Sequence, residues 1–311
     1  MSRQRTSRWI TNLSCFGALA FAGAAAATAN PAGLYYDDHA TAPYTNIESY
    51  SAPTALLVTG RCNRTDTHFA EARAAGAEVL AYINPVGILT TPGPCQAEFF
   101  AGAHLWPYKD AHGNDRSNYK KTKLGDLRVG SSWSDAVVAY VERIMREGNV
   151  DGVMLDVVGA RLYEADWNNW PAAEQAEWTA GNVDLVRRLN ESRKRINPSF
   201  IIINNAFWNP KNTTPDPNVV YPGEQYVDGI VVEDHAATEK NARAYAGRRY
   251  GSAGAGVEHR RVVVITRSAS DAVAWTHVAG VTHVDLQGSS YSYAEPPVVA
   301  PTPLTDRRRS Q

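Results

Sequence analysis

The chain has 311 residues, 44% hydrophobic and 20% charged, which excludes the disordered class and allows a sizeable core. Its formal net charge is −1, and −4 once Arg3, Arg5 and Arg8, the only charges in the first 29 residues, are set aside. That balance supplies no basic face for nucleic acid.

Residues 1–29 read as a secretory signal. A basic start precedes an apolar, small-residue stretch, and Ala27-Thr28-Ala29 has the small-x-small cleavage pattern. The apolar stretch is shorter than the ~20 residues that span a bilayer. A secreted chain, extracellular or periplasmic, with no lasting membrane insertion is therefore expected. Cys62 and Cys95 then remain, an even pair compatible with one disulfide or with two separate thiols.

Beyond the leader, strand-like and helix-like segments alternate. Tyr35, Tyr36, Asp37 and Asp38 precede the first candidate strand, 55–59, and cover the domain or line its cleft. A short helix at 65–75 leads to a second strand at 78–83. The polar stretch 87–123 holds Trp106, Tyr108 and Tyr119, and a connection of that length is usually functional. A brief third strand is expected at 124–128, and a helix follows through Glu147. The fourth strand ends at Asp156, and a long helix spans 172–196. Strands five to eight are expected at 200–204, 229–233, 262–266 and 282–286, with helices at 239–250 and 270–279. The Pro- and Arg-rich end, 295–311, reads as a disordered tail.

Eight apolar strands separated by helices predict a single-domain (β/α)8 barrel over residues 30–294. The alternative is an open doubly wound sheet, but no glycine-rich phosphate turn follows the first candidate strand.

Two of the strands, Gly152-Val153-Met154-Leu155-Asp156 and Gly229-Ile230-Val231-Val232-Glu233, are introduced by Asp-Gly and end in a carboxylate. Acids at the C-terminal ends of barrel strands are placed at the mouth, where such barrels carry their chemistry. A carboxylate pair is what glycosidic cleavage requires. Asp156 is expected as nucleophile and Glu233 as general acid/base, the division of roles being softer than the pair itself. Candidate substrate-binding residues are Asp126 and Arg128, Asn204, Trp208 and Trp106, and Asp285 near the end of strand eight. Asp126 and Arg128 equally fit a plain ion pair.

Two other chemistries are weighed. Asp37-Asp38-His39 with Glu233-Asp234-His235 would offer metal ligands for a metal-dependent hydrolase or deacetylase, but neither cluster has a metal-site spacing. No G-x-S-x-G elbow supports a serine hydrolase.

Three stretches carry a family likeness: Asp126-Leu127-Arg128 ahead of a Trp-opened helix, the run ending at Asp156, and the run ending at Glu233. There the chain resembles extracellular glycoside hydrolases built on β/α barrels, among them the endo-α-1,4-polygalactosaminidase group (glycoside hydrolase family 114). The resemblance implies a TIM barrel with Asp156 and Glu233 as the catalytic pair. In that group an Asn commonly follows the strand-four Asp, whereas here Val157 does. The expectation is a monomeric, cofactor-free glycosidase acting on a polysaccharide or oligosaccharide. A non-catalytic carbohydrate-binding barrel is its rival.

Overall fold

In the computed structural model eight parallel strands close on themselves, each hydrogen-bonded to its neighbours in chain order. They are β1 (Asn30–Tyr35), β2 (Leu56–Thr59), β3 (Glu78–Ile83), β4 (Gly152–Asp156), β5 (Ile201–Asn205), β6 (Gly229–Glu233), β7 (Arg261–Thr266) and β8 (His283–Leu286). The ring is completed where Asn30, Pro31 and Ala32 of β1 lie in register with His283, Val284 and Asp285 of β8. The structure describes residues 29–36, 46–60, 63–88, 107–117, 123–162, 167–209, 219–233, 261–288 and 294–298.

The strands are apolar on both faces because both are covered. One set of side chains fills the barrel, including Leu34, Leu56, Val58, Leu80, Met154, Ile203, Val231, Val263 and Ile265. The other set, including Val79, Val153, Ile202, Val232 and Val264, packs outward against the surrounding elements. Side chains alternate along a strand. Asp156 therefore shares the inner face with Met154, and Glu233 shares it with Val231.

Four α-helices are described around the barrel: α1 (Thr67–Ala74), α2 (Ser132–Glu147), α3 (Ala172–Ile196) and α4 (Ala269–Trp275). Local chemistry sets their ends. Asp66 accepts from the His68 amide at 2.9 Å to start α1, and Ser131 accepts from the Ser134 amide to start α2. Gly148, at φ 67°, ends α2 in the left-handed conformation that suits glycine. The close approach of α3 to the segment before α2 needs Gly181, since a Cβ there would lie 2.2 Å from the Leu127 carbonyl oxygen.

Two expectations for the strands are corrected. Residues 55–59 hold the second barrel strand, because Asn30–Tyr35 forms the first. The expected third strand, 124–128, is not part of the barrel. Lys123–Leu124 pairs antiparallel with Gly87–Ile88 outside it, and Asp126 to Arg128 lead into α2. One strand is gained and one lost, so Asp156 and Glu233 keep their places on strands four and six.

The described part of the polar stretch is folded. Residues 107–117 double back through a turn in which the Asp110 carboxylate accepts from the His112 and Asn114 amides, each at 2.9 Å. The segment docks on α3 through Arg116, whose guanidinium donates to Glu174 at 2.6 Å and lies 4.6 Å above the Trp170 ring. At the other end of the chain, the Glu295 amide donates to the Leu286 carbonyl at 2.7 Å, and the Tyr50 hydroxyl donates to the Glu295 carbonyl at 2.5 Å. The expected tail thus begins tied to the barrel. Its remainder, the leader up to residue 28, the helix at 239–250, Cys62, Cys95, Trp106, Asp37, Asp38, His39, Asp234 and His235 lie outside the described residues. Among the described residues no helix is long and apolar enough to cross a membrane.

Candidate active site

Strands β4, β5 and β6 are adjacent, and in register Asp156 lies opposite Asn205. The inner face therefore brings three mouth-end side chains together, Asp156, Asn205 and Glu233. The Asn205 amide nitrogen donates to Asp156 Oδ1 at 3.0 Å and to Glu233 Oε1 at 2.6 Å. Both bonds start at one nitrogen, so the two oxygens are separated by no more than their lengths laid end to end, about 5.6 Å. Only a terminal amide offers two hydrogens from one uncharged atom, which is what two facing acids need.

Asp156 is held from its other side by β3. The Tyr82 hydroxyl donates to Oδ2 at 2.6 Å, and the Asn84 amide donates to the same oxygen at 3.3 Å. Asn84 is itself fixed, its carbonyl oxygen accepting from the Val86 and Gly87 amides at 3.0 and 2.9 Å. Burial pushes the Asp156 pKa up to about 6; the Tyr82 and Asn205 bonds pull it down, and the Glu233 charge adds to the rise. The chain then turns sharply. Val157 sits at φ 61°, with its amide donating to the Asn205 carbonyl at 3.0 Å. A β-branched residue in that region is strained, and strain of this kind gathers at functional sites.

Asp285 also faces inward. It lies beside Ile265 of β7, which in turn lies beside Glu233. It is fully buried and accepts from the Leu34 amide at 3.3 Å and the Gln287 amide at 2.5 Å. Burial pushes its pKa well above the usual carboxylate range. Tyr36, next to the end of β1, packs its ring against Tyr82 with centroids 4.8 Å apart.

Other candidates from the sequence fall elsewhere. Asn204 points to the outer face, is fully buried, and donates to the Val158 and Ala206 carbonyls, each at 2.7 Å. Its oxygen accepts from the Trp208 indole at 3.2 Å. Trp208 is fully buried against Gly223, where a Cβ would come within 2.1 Å of the indole. Neither is open to stack on or bond a sugar; they brace the loop after β5. The neighbouring Asn205 faces the site instead. Asp126 and Arg128 form the plain ion pair, bidentate at 2.9 and 2.7 Å, with the guanidinium 4.8 Å above the Tyr108 ring. Among the described residues no group of three or more His, Cys, Asp or Glu side chains is gathered to hold a metal.

Sequence reasoning missed Asn205, Tyr82 and Asn84. The signal for Asn205 lay in strand parity: five-residue strands that put Asp156 and Glu233 at their inward ends put residue 205, not 204, at the inward end of the strand between.

The molecule is a TIM barrel with two acids joined by an amide at its mouth. No family model matches the chain, and no curated protein matches it in sequence. Among solved structures it is similar to the glycoside hydrolase domain of PelA from Pseudomonas aeruginosa. The TM-score is 0.54 at 11% identity, covering 86% of this chain and 98% of that one. It is also similar to α-L-fucosidase isoenzyme 2 from Paenibacillus thiaminolyticus, with TM-score 0.52, 11% identity, and 87% and 48% of the two chains covered. A third match is Ega3 of Aspergillus fumigatus in complex with galactosamine, with TM-score 0.47, 12% identity, and 85% and 92% covered. The first two likenesses bear out the barrel fold.

Proposed function

We propose that this protein is a retaining glycoside hydrolase acting on a polysaccharide or oligosaccharide through Asp156 and Glu233. The observation that carries the reading is the single Asn205 nitrogen bonded to both carboxylates. It holds their nearest oxygens within about 5.6 Å, which agrees with the ~5–5.5 Å separation of retaining pairs. The fold-level likeness to the PelA hydrolase domain agrees with this by analogy.

Asp156 is the nucleophile. Three neutral donors converge on its oxygens, an arrangement that suits an ionised carboxylate. With a pKa of about 6 it is mostly ionised at pH 7. In the first step an Asp156 oxygen bonds to the anomeric carbon while Glu233 gives its proton to the departing glycosidic oxygen. In the second step Glu233 takes a proton from water, whose oxygen displaces Asp156 and restores both groups. The leader at 1–29 would deliver the enzyme outside the cytoplasm, where polysaccharides are met.

The anomer first released from a cleaved glycan, followed by proton NMR, tests the mechanism. Retention, with a glycosyl adduct on Asp156 detected by mass spectrometry, is expected. An inverted first product would overturn the double displacement.

A further inference from the structure

Tyr36 lies two residues beyond the inward-facing Leu34, at the mouth end of β1, and its ring packs against Tyr82. The two hydroxyls have different fates. That of Tyr82 donates to Asp156 at 2.6 Å. That of Tyr36 is buried and has no hydrogen-bond partner among the described residues. A buried hydroxyl left unpaired loses its water without compensation, so phenylalanine would fill the same space more favourably. The charges that act on it are the carboxylates of Glu233, Asp285 and Asp156, in that order; burial, and then these charges, push its pKa well above the usual tyrosine value. The hydroxyl thus keeps its proton and is a ready donor beside the carboxylate pair, lacking only an acceptor.

We propose that Tyr36 is a substrate-binding residue whose hydroxyl donates a hydrogen bond to an oxygen of the sugar ring held between Asp156 and Glu233. The proposal rests on the glycosidase reading and extends it to a third strand. It divides the labour of two stacked tyrosines, Tyr82 holding the nucleophile and Tyr36 the sugar. The cost of the unpaired hydroxyl in the free protein is then recovered when substrate binds.

Tyr36→Phe tests it with two readouts. On whichever glycan the parent cleaves, kcat/KM should fall tenfold or more, the loss of one well-made hydrogen bond. The thermal midpoint of the free variant should equal or exceed that of the parent, because no bond of the free protein is removed. A kcat/KM within twofold of the parent would overturn the proposal. So would a lowered midpoint, which would mean that the hydroxyl is bonded within the free protein. The two readings separate cleanly. If Asp156→Asn still hydrolyses at the parent rate, the glycosidase reading falls and the sugar contact falls with it. If Asp156→Asn is inactive while Tyr36→Phe is not impaired, only the assignment of Tyr36 falls.

Discussion

Asn205 serves two acids from one nitrogen, and removing it has consequences of definite sign. Its bond to Asp156 favours the ionised form, so Asn205→Ala should move the acid limb of the kcat/KM–pH profile upward from about 6. An unmoved limb would mean that Asn205 does not tune Asp156. Asp156 itself is held in the protein with a pKa above its ordinary value. The protonated form is favoured by folding, so that stability is fully present below about pH 4 and is lost as pH rises through about 6. Asp156→Asn should therefore be inactive yet more stable than the parent at pH 7.5, by on the order of 1–2 kcal/mol. The difference should vanish near pH 4 in urea-unfolding measurements. The turn just after Asp156 bears on the family likeness. Val157 occupies a left-handed conformation that asparagine tolerates far better, a physical reason for asparagine to be common there in the polygalactosaminidase group.

At the scale of the elements, the two Asp-Gly pairs that introduce β4 and β6 form matching clamps at the barrel floor. Asp151 exchanges bonds with Val79 of β3: its carboxylate accepts from the Val79 amide and its own amide donates to the Val79 carbonyl. Asp228 does the same with Ile202 of β5. Each backbone carbonyl then accepts from the first residue of the next strand, Ile201 or Arg261. The glycines let those neighbours close in, since a Cβ at Gly152 or Gly229 would come within 2.2 or 2.1 Å of a carbonyl oxygen of that next strand. The clamps differ in burial. Asp228 pairs with Arg193 of α3, whose side chain is 6% exposed, whereas Asp151 pairs with Arg73 at 40%. Asp228→Ala should cost about 3–5 kcal/mol by leaving a buried guanidinium and a strand amide unpaired. Asp151→Ala should cost less, about 1–3 kcal/mol, since it unpairs the Val79 amide but only a half-exposed Arg73. Equal losses in denaturant melts would contradict this account. The pairs were legible in the sequence as strand introductions. Their role was not, because it depends on which strands become neighbours.

At the scale of the whole molecule, the barrel could be read from eight apolar runs, but not every run belonged to it. Asn30–Tyr35 contains proline and glycine and no β-branched residue, so it lacks the composition of a strand; it becomes one by closing the ring between β2 and β8. Leu124 to Arg128 has glycine and aspartate and no β-branched residue either, and of it only Leu124 pairs as strand, with Gly87 outside the barrel. The acids at 156 and 233 were legible because burial makes a charge at the end of an apolar run conspicuous. The amide between them was not, because Asn204 and Asn205 differ only in the face they present. The proposed function is that Asp156 and Glu233 cleave glycosidic bonds. Release of new reducing ends from a panel of polysaccharides, measured for the parent, Asp156→Asn and Glu233→Gln, tests that claim most directly. Hydrolysis by the parent that falls at least about a thousandfold in both variants is predicted. Hydrolysis that persists at the parent rate in either variant, or binding with no hydrolysis by the parent, would contradict it.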